Sequence, residues 1–382
     1  MDHAQQYSDG PDHEFDTVVV GGGQAGLTIG FHLARRLHRD ILILDAHDRV
    51  GDAWRQRWDS LRLFTPAKYD GLPGMPFPGD RLAFPTKDEM ADYLEAYAAR
   101  FELPVLTGIR VDRVGRIDGR FVVEAGERSW TARNVVIAAG GHQVPRVPAF
   151  AGQLDASVRQ LHSEDYRNPH ELRAGPVLVV GLGNSGAEIA LEVSRTHPTT
   201  VAGTPGGELP FRHGRALARF GLPLIRFAGV HVLNFGTPIG RRVLPTAAKS
   251  ATPLIRTRLA ELEEAGVSRA GRVTGVEGGM PVVDGRALDV ADVIWCTGYR
   301  DDLRFIDLPV FDDDGRLRQT RGVVGGTPGL YAVGLDLMYA IVSATLPGMP
   351  RDAAYLARRM RRVEAPDAAG VGRTTSGVGA RG

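Results

Sequence analysis

One pattern occurs twice in this chain and restricts its fold more than any other feature. An apolar, β-branched run leads through a glycine-rich turn into an amphipathic segment, first in FDTVVV-GGGQAG-LTIGFHLARRL from Phe15 and again in GPVLVV-GLGNSG-AEIALEVSRTH from Gly175. Each copy predicts a buried strand followed by a helix, as in a dinucleotide-binding unit. We therefore expect an α/β fold with two Rossmann-like domains, which suits the length of 382 residues.

The glycines of the first unit have separate expected roles. Gly21 permits a tight turn off the strand, Gly23 lets the backbone approach a pyrophosphate, and Gly26 lets the helix pack closely on the strand. Gln24 and Ala25 lie between them, where unpaired N–H groups of the helix N-terminus bind phosphate.

An acid completes the first unit. A second apolar strand, DILILD, ends in Asp45, about 20 residues beyond the last glycine, where a carboxylate accepts ribose hydroxyl groups. Strand, glycines, helix, strand and terminal acid in this order predict a bound dinucleotide.

The second unit repeats the glycines as Gly181, Gly183 and Gly186. Asn184 and Ser185 lie inside this turn and are expected to contact the phosphates, and a helix cap is the alternative role for Asn184.

The second unit has no acid where its second strand ends. The run TTVAGTPGGELPFRHG contains none before Glu208, so a ribose carboxylate is missing near residues 202–204. Its absence removes repulsion against a 2′-phosphate, and we expect Arg212 to supply the positive charge. A solvated loop arginine is the alternative, and His213 and Arg215 are the other candidates.

Three further apolar runs end in glycine, where a chain turns tightly against another backbone or a cofactor. They are VVIAAGGH (135–142), VIWCTGYR (293–300) and GLYAVGLD (329–336). We expect cofactor contacts at Thr297, Gly298, Gly334 and Asp336.

Composition excludes several classes of protein. The net charge of +1, with arginines spread along the chain among acids, predicts no attraction to nucleic acid or to an anionic membrane. The absence of a signal peptide and of a long uncharged apolar run predicts a cytoplasmic protein without stable membrane insertion. Residues 216–235 come nearest to a span and instead suggest short buried or interfacial helices. Residues 1–14 and 364–382 are polar or small and are expected to be disordered.

Cysteine and histidine usage limits the chemistry. Cys296 is the only cysteine, which excludes an intramolecular disulfide and a CxxC redox pair, and we expect it to be a small buried thiol. The eleven histidines show no HExxH or paired spacing, so we expect no metal.

Several segments together resemble a known superfamily. They are GGGQAG (21–26), GDAW (51–54), FPTKDEMADYLEAYAARFEL (84–103), LVVGLGNSGAEIA (178–190) and CTGYR (296–300). From about Phe15 to about Arg359 the chain is similar to the flavin-containing and Baeyer-Villiger monooxygenases, in particular to their short bacterial and plant-auxin-enzyme-like branch.

The resemblance implies an arrangement of domains and cofactors. An FAD-binding domain of residues 15–150 and 290–363 would be interrupted by an NADPH-binding domain of residues 151–289. FAD would use the first unit and NADPH the second, and Trp54 would pack on FAD or line the substrate channel. Trp58 is more typical of an aromatic core residue.

The resemblance makes two residues of this chain candidates for a role in catalysis. The segment ASVRQLHSEDY matches the family motif FxGxxxH only in part, and His162 is the residue that fits its histidine. His162 either affects catalysis from the domain linker or is a hydrogen-bonded structural residue. Phe64 stands in SLRLFTPAK, where relatives carry an Asn or His beside the flavin. Loss of that polar group puts efficient oxygenation in doubt.

The resemblance implies an NADPH-using monooxygenase that acts through a flavin hydroperoxide. Its partners would be a small-molecule substrate and O₂, and a homodimer is one assembly that the resemblance allows. Two alternatives stay open. One is an NADPH-dependent flavin oxidase or reductase that releases hydrogen peroxide, and the other is a non-enzymatic FAD and NAD(P)H redox sensor.

Overall fold

The computed structural model describes residues 14–141, 143–247 and 252–363. Residues 1–13 and 364–382, for which disorder is expected from the sequence, lie outside the described residues. The sequence places Glu14 in the disordered N-terminal tail, but Glu14 is the first residue of a strand and pairs with Thr131.

The strands of the described chain are, in order, β1 (Glu14–Val20), β2 (Ile41–Leu44), β3 (Val105–Leu106), β4 (Arg113–Ile117), β5 (Arg120–Ala125), β6 (Arg128–Ile137), β7 (Val144–Pro145), β8 (Arg159–His162), β9 (Val177–Val180), β10 (Thr199–Ala202), β11 (Ser268–Ala270), β12 (Val273–Glu277), β13 (Met280–Val283), β14 (Arg286–Ala287), β15 (Asp292–Trp295), β16 (Tyr299–Arg300), β17 (Gln319–Thr320), β18 (Val323–Val324) and β19 (Leu330–Ala332).

The α-helices are α1 (Gln24–Gly30), α2 (Asp52–Arg55), α3 (Lys87–Arg100), α4 (Asn184–Val193), α5 (Leu222–Phe227), α6 (Pro238–Ala247), α7 (Leu259–Glu264) and α8 (Met349–Val363). π-helical turns extend α1 and flank α5, at Phe31–Arg36, Leu217–Gly221 and Ala228–Val232. Short 3₁₀ turns occur at Ala67–Tyr69, Ala149–Gln153 and Pro169–Glu171.

The first sheet has the order β17-β18-β19-β6-β1-β2-β3, and the hairpin β4-β5 joins it through β6. Its central strands are parallel. Both faces of β1 are buried, with Val19 packed in one cluster and Val18 in the cluster on the opposite face. A parallel sheet covered on both faces is the expected α/β architecture.

The second sheet is fully parallel and has the order β11-β10-β9-β15-β8. Here too the strand before the glycine turn is buried on both faces, with Val179 and Leu178 in separate clusters. Trp58, although it belongs to the first part of the chain, packs into the Val179 cluster as the core residue expected for it. The second sheet includes β15 and therefore extends past residue 290, where the sequence placed the domain boundary.

The chain crosses between the two sheets twice, and the crossings pair with each other. β7 leads into the second sheet and β16 leads out of it, and the two form an antiparallel pair that joins Pro145 to Tyr299 and Val144 to Arg300. The two dinucleotide units are thus connected by a short two-stranded linker.

Candidate functional site

The turn after β1 has the geometry that its glycines predict. Gly21 has φ of +109°, and a Cβ on it would overlap the backbone carbonyl of Ala138 at the end of β6. A Cβ on Gly26 would overlap the carbonyl oxygen of Gly21. The backbone that follows β6, at Ala138 and Ala139, is therefore the surface against which the first glycine turn packs.

Gly23 differs from these two glycines because no atom lies within 4 Å of the position its Cβ would take. Gly23 is also the N-cap of α1 and forms no side-chain cap, whereas Thr86 caps α3 through a reciprocal pair of hydrogen bonds with Glu89. The open space and the uncapped N–H groups of α1 fit a pyrophosphate.

Asp45 lies at the end of β2 and is buried. Its Oδ2 accepts from the N–H of Gly22 at 2.8 Å, and its Oδ1 lies 2.8 Å from the N–H and 2.9 Å from Nδ1 of His47. The hydrogen bond that the His47 ring donates to Asp45 raises the pKa of His47. A carboxylate has about four acceptor positions, so about one remains for a ribose hydroxyl.

Two other parts of the chain meet the first glycine turn. The indole Nε1 of Trp54 donates to Oε1 of Gln24 at 3.2 Å. Gly334 follows β19 and has φ of +77°. A Cβ on Gly334 would lie 2.6 Å from Cβ of Ala25. Trp54 and Gly334 therefore adjoin the turn that fits the pyrophosphate.

Asp336 is exposed two residues beyond Gly334. The pKa of Asp301 is raised mainly by burial and also by the nearby carboxylate of Asp336. Asp336 thus lies at the same edge of the first sheet as the segment after β16, on the side where β6 and β19 end.

The second glycine turn repeats the geometry of the first. Gly181 has φ of +108° and packs on the backbone carbonyl of Cys296, and a Cβ on Gly186 would overlap the carbonyl oxygen of Gly181. Nothing lies within 4 Å of a Cβ on Gly183, and α4 starts there without a side-chain cap. This turn fits a second pyrophosphate.

Asn184 has a different role from helix capping. Its Nδ2 donates to the carbonyl of Pro253 at 3.0 Å, and its Oδ1 accepts from the N–H of Ile255 at 2.8 Å. Asn184 therefore fixes the segment beside the glycine turn and leaves the N-terminus of α4 uncapped. Ser185 follows in the first turn of α4 and is partly exposed.

The end of β10 borders a cavity of about 340 Å³. Its lining residues are Gly203, Thr204, Pro205, Arg269, Ala270, Gly271 and Asp284. Arg269 forms an ion pair with Glu263 at 2.9 Å. Arg212 is exposed and is not among the lining residues, so the chosen cation and the cavity occupy different parts of the second domain.

The segment after β15 contacts the linker. Thr297 Oγ1 donates to the carbonyl of Arg146, and the N–H of Arg146 donates to the carbonyl of Gly298 at 2.9 Å. Gly298 has φ of +78°. Both predicted cofactor residues, Thr297 and Gly298, are thus placed where the chain leaves the second sheet.

His162 lies at the end of β8 and is buried. Its Nδ1 accepts from the N–H of Glu164 at 3.2 Å, so Nε2 carries the proton and donates to the carbonyl of Gly298 at 3.1 Å. Burial lowers the pKa of His162, which favours this neutral ring. The ring also contacts Tyr299 edge-on, with centroids 4.9 Å apart.

Phe64 lies at the junction between the two domains. Its side chain is 38% exposed, and its backbone carbonyl accepts from Nε2 of His213 at 3.0 Å. The ring of His213 also packs on Phe84, with centroids 4.0 Å apart. The segment that follows Glu208 therefore covers the loop that carries Phe64.

Sequence reasoning missed several residues that organise these sites. Gly22 contributes the N–H held by Asp45, and Pro253 and Ile255 bind Asn184. The partners of Asn184 are about 70 positions away in the chain, so no local pattern indicates them. Within the described ranges, no group of His, Cys, Asp and Glu residues is suited to bind a metal ion, and no helix is long and apolar enough to cross a membrane.

Comparison with known proteins relates the chain to oxidoreductases. The family of pyridine nucleotide-disulphide oxidoreductases matches residues 18–208. A CzcO-like uncharacterized oxidoreductase of Geobacillus kaustophilus is 36% identical over 90% of this chain and 97% of its own length. The probable indole-3-pyruvate monooxygenase YUCCA3 of Arabidopsis thaliana is 28% identical over 83% of this chain and 81% of its own length.

The fold is also similar to a solved structure. A mutant flavin monooxygenase from Stenotrophomonas maltophilia superposes with a TM-score of 0.75 and is 29% identical. The match covers 92% of this chain and 99% of that protein. The likeness thus includes both sheets and the linker between them.

Proposed function

The chain belongs to the family of pyridine nucleotide-disulphide oxidoreductases and, within it, to the flavin-containing monooxygenase superfamily, and on this basis we propose that it transfers one oxygen atom of O₂ to a small organic substrate. The enzyme is an oxidoreductase whose cofactors are FAD and NADPH.

One observation carries the proposal. Gly23 and Gly183 each leave open space in front of an uncapped helix, one in each domain, so a single chain can hold two dinucleotides. An oxidoreductase that reduces a flavin with a nicotinamide needs both sites. We assign FAD to Gly23, since Asp45 ends the next strand there, and NADPH to Gly183.

FAD, when bound, accepts a hydride from the nicotinamide and supplies the reactivity with O₂. The protein contributes binding and orientation. His162 and Arg57 act on the linker, because His162 donates to the carbonyl of Gly298 and Arg57 donates to the hydroxyl of Tyr299 at 2.6 Å. These bonds fix the exit from the second domain to the end of β8 and to the first domain, and we infer that they limit how the two glycine turns can move relative to each other.

Exclusion of water is the second contribution of the chain. The loop that carries Phe64 is covered by His213, and Lys68 from the same loop donates to the carbonyl of Ala218 at 2.6 Å. These contacts connect the first domain to the segment after Glu208 on the side of the domain interface. A dry site favours oxygen transfer over release of peroxide.

Dithiol chemistry, which the family name includes, is not part of the proposal. Cys296 is the only cysteine, and its carbonyl is already the surface on which Gly181 packs. Burial raises the pKa of the Cys296 thiol to about 12, so thiolate is scarce at neutral pH.

A second function, release of hydrogen peroxide by an NADPH oxidase, is favoured by one observation. Phe64 presents an apolar, partly exposed side chain at the position where we expect relatives to carry Asn or His. Without an oriented polar partner, reduced oxygen is more easily lost as peroxide.

The experiment measures NADPH consumption by the FAD-loaded enzyme with sulfides, ketones, amines and 2-oxo acids, together with peroxide and with the incorporation of oxygen from ¹⁸O₂. The proposal predicts a substrate that accelerates NADPH consumption and gains one labelled atom. NADPH consumption matched by peroxide for every compound supports the oxidase, and no oxygen-dependent NADPH consumption contradicts both functions.

A further inference from the structure

The segment from Leu209 to Ala260 has an unusual charge. It contains nine Lys and Arg residues and neither Asp nor Glu, in a chain whose net charge is only +1. The expectation that acids separate the arginines everywhere is therefore wrong here. The net charge of the whole chain conceals a strongly positive region.

This segment folds largely into a helical hairpin. Its first arm runs through Leu217–Gly221, α5 and Ala228–Val232, and its second arm is α6. Asn234 fixes the corner, because its Nδ2 donates to the carbonyl of Val230 at 3.1 Å and its Oδ1 accepts from the N–H of Gly236 at 2.9 Å. The hairpin is thus a defined element.

One side of the hairpin packs on the first domain. Lys68 donates to the carbonyl of Ala218, Arg351 donates to the carbonyl of Val230, and Arg226 lies 5.2 Å over the ring of Tyr69. This side buries small and apolar residues, namely Leu217, Ala218, Gly229, Val230 and Leu244.

The other side exposes large apolar side chains. Phe220, Leu224 and Phe227 are 72%, 71% and 57% exposed, and their spacing of four and three residues places them on one helix face. Ile239 and Val243 on α6, four residues apart, are 56% and 39% exposed. Clustered exposed apolar side chains mark an interaction surface.

Arginines without acidic partners flank this apolar face. Arg219, Arg241 and Arg242 are exposed. Within the part of the chain that the structure describes, the segment forms two ion pairs, Arg215 with Asp80 and Arg256 with Glu188. The charge beside the apolar face is therefore not neutralised by the protein.

We propose that the helical hairpin docks on the surface of an anionic lipid bilayer. Phe220, Leu224 and Phe227 enter the interface between headgroups and acyl chains, and the flanking arginines contact lipid phosphates. A second copy of the chain is a poor partner, because two such faces carry the same charge. Nucleic acid offers phosphates but no apolar layer for the exposed side chains. This proposal is independent of the substrate.

The test uses the full-length FAD-loaded protein and sedimentation with vesicles of phosphatidylcholine, either alone or with about 30% phosphatidylglycerol. We expect binding to the anionic vesicles, weaker binding to neutral vesicles, and loss of binding as salt screens the arginines. No sedimentation with either vesicle, or equal binding to both, overturns the proposal.

Variants connect the binding to the hairpin. The double change Phe220→Ser and Leu224→Ser should lower vesicle partitioning about tenfold or more, and Arg242→Glu should lower it on anionic vesicles only. The matched controls are Ile117→Ser and Arg316→Glu, which alter an exposed apolar and an exposed basic residue elsewhere and should leave binding unchanged.

Flavin content and thermal unfolding establish that each variant is folded. Unchanged vesicle binding by the double variant contradicts the proposal. The proposal is also contradicted if wild type binds no lipid and light scattering shows a dimer that becomes a monomer in the double variant. That result would identify a second copy of the chain as the partner of this face. A changed KM without lipid binding would assign the face to substrate entry and also overturn the proposal.

Discussion

Oδ2 of Asp45 accepts a hydrogen bond from the backbone N–H of Gly22, with 2.8 Å between the two atoms. The acid at the end of β2 therefore holds the glycine turn, and we propose that it also binds the ribose. Both tasks need a carboxylate that accepts hydrogen bonds on two oxygens.

Asp45→Asn should weaken FAD binding, because the amide replaces one acceptor oxygen with a donor that opposes the N–H groups of the turn. A hydrogen bond to a charged group is worth about 1.5 to 3 kcal/mol, so Kd should rise roughly 10- to 150-fold. Quenching of flavin fluorescence by apoprotein measures Kd. Asp48→Asn in the same loop is the matched control, and equal Kd values for the two variants would refute the role of Asp45.

Phe64→Asn tests whether an apolar residue at the domain junction limits oxygen transfer. A new polar partner worth about 1 kcal/mol should lower the fraction of NADPH electrons released as peroxide by roughly fivefold. Since the bond from His213 goes to the backbone carbonyl, the substitution leaves that contact in place. Peroxide formed per NADPH is the measurement, and an unchanged ratio in Phe64→Asn would show that another group controls peroxide release.

Arg212→Ala tests the preference for NADPH. If Arg212 binds the 2′-phosphate, the ratio of kcat/KM for NADPH over NADH should fall by roughly 10- to 150-fold, which corresponds to about 1.5 to 3 kcal/mol. Arg269→Ala is the comparison, because Arg269 lines the cavity at the end of β10. A loss of preference in Arg269→Ala alone would move the phosphate site to that cavity and refute the assignment of Arg212.

Asp70 gives the protein a predictable dependence of stability on pH. Its side chain is fully buried, Thr65 donates to Oδ1, and burial raises the pKa to about 8. Between the ordinary aspartate pKa near 4 and pH 8, the unfolded chain has lost this proton while the folded protein keeps it. The free energy of unfolding therefore falls as pH rises through this window.

Asp70→Asn removes the ionisation and preserves the shape and an acceptor for Thr65. The variant should gain about 4 kcal/mol of stability relative to wild type between about pH 5 and pH 8, since each of the roughly three pH units is worth about 1.4 kcal/mol. Denaturant unfolding at the two pH values measures this change. Parallel pH profiles for wild type and variant would contradict it.

Local patterns predicted the glycine turns well because the requirements are local. Gly21 and Gly181 need a positive φ, and the apolar strands on either side need burial on both faces. The strand ends at Ala138 and Cys296 were also expected to approach another backbone, and they do. In each case a few neighbouring residues determine the outcome.

Long-range arrangements could not be predicted in this way. An apolar run such as β15 indicates a strand but not the sheet to which it belongs, so the sequence does not show that the second sheet extends past residue 290. The bonds of Asn184 to Pro253 and Ile255 depend on how distant segments pack. The sequence shows that residues 209–260 contain no acid, but only the structure shows that apolar side chains of this segment, such as Phe220, are exposed.

The central claim is that one chain holds FAD at Gly23 and NADPH at Gly183, and two matched substitutions test it. Valine is sterically compatible with both backbones, since no atom lies within 4 Å of either Cβ and φ is −73° and −93°. Each side chain would instead occupy the space of a pyrophosphate. Both variants should therefore remain folded.

The measurement is flavin content and anaerobic flavin reduction by NADPH in the two purified variants. We predict that Gly23→Val is folded but colourless and does not take up FAD. Gly183→Val should be yellow, with its flavin reduced by dithionite but no longer by NADPH at concentrations that reduce wild type. Full FAD content in Gly23→Val, or wild-type reduction by NADPH in Gly183→Val, would contradict the assignment of the two sites.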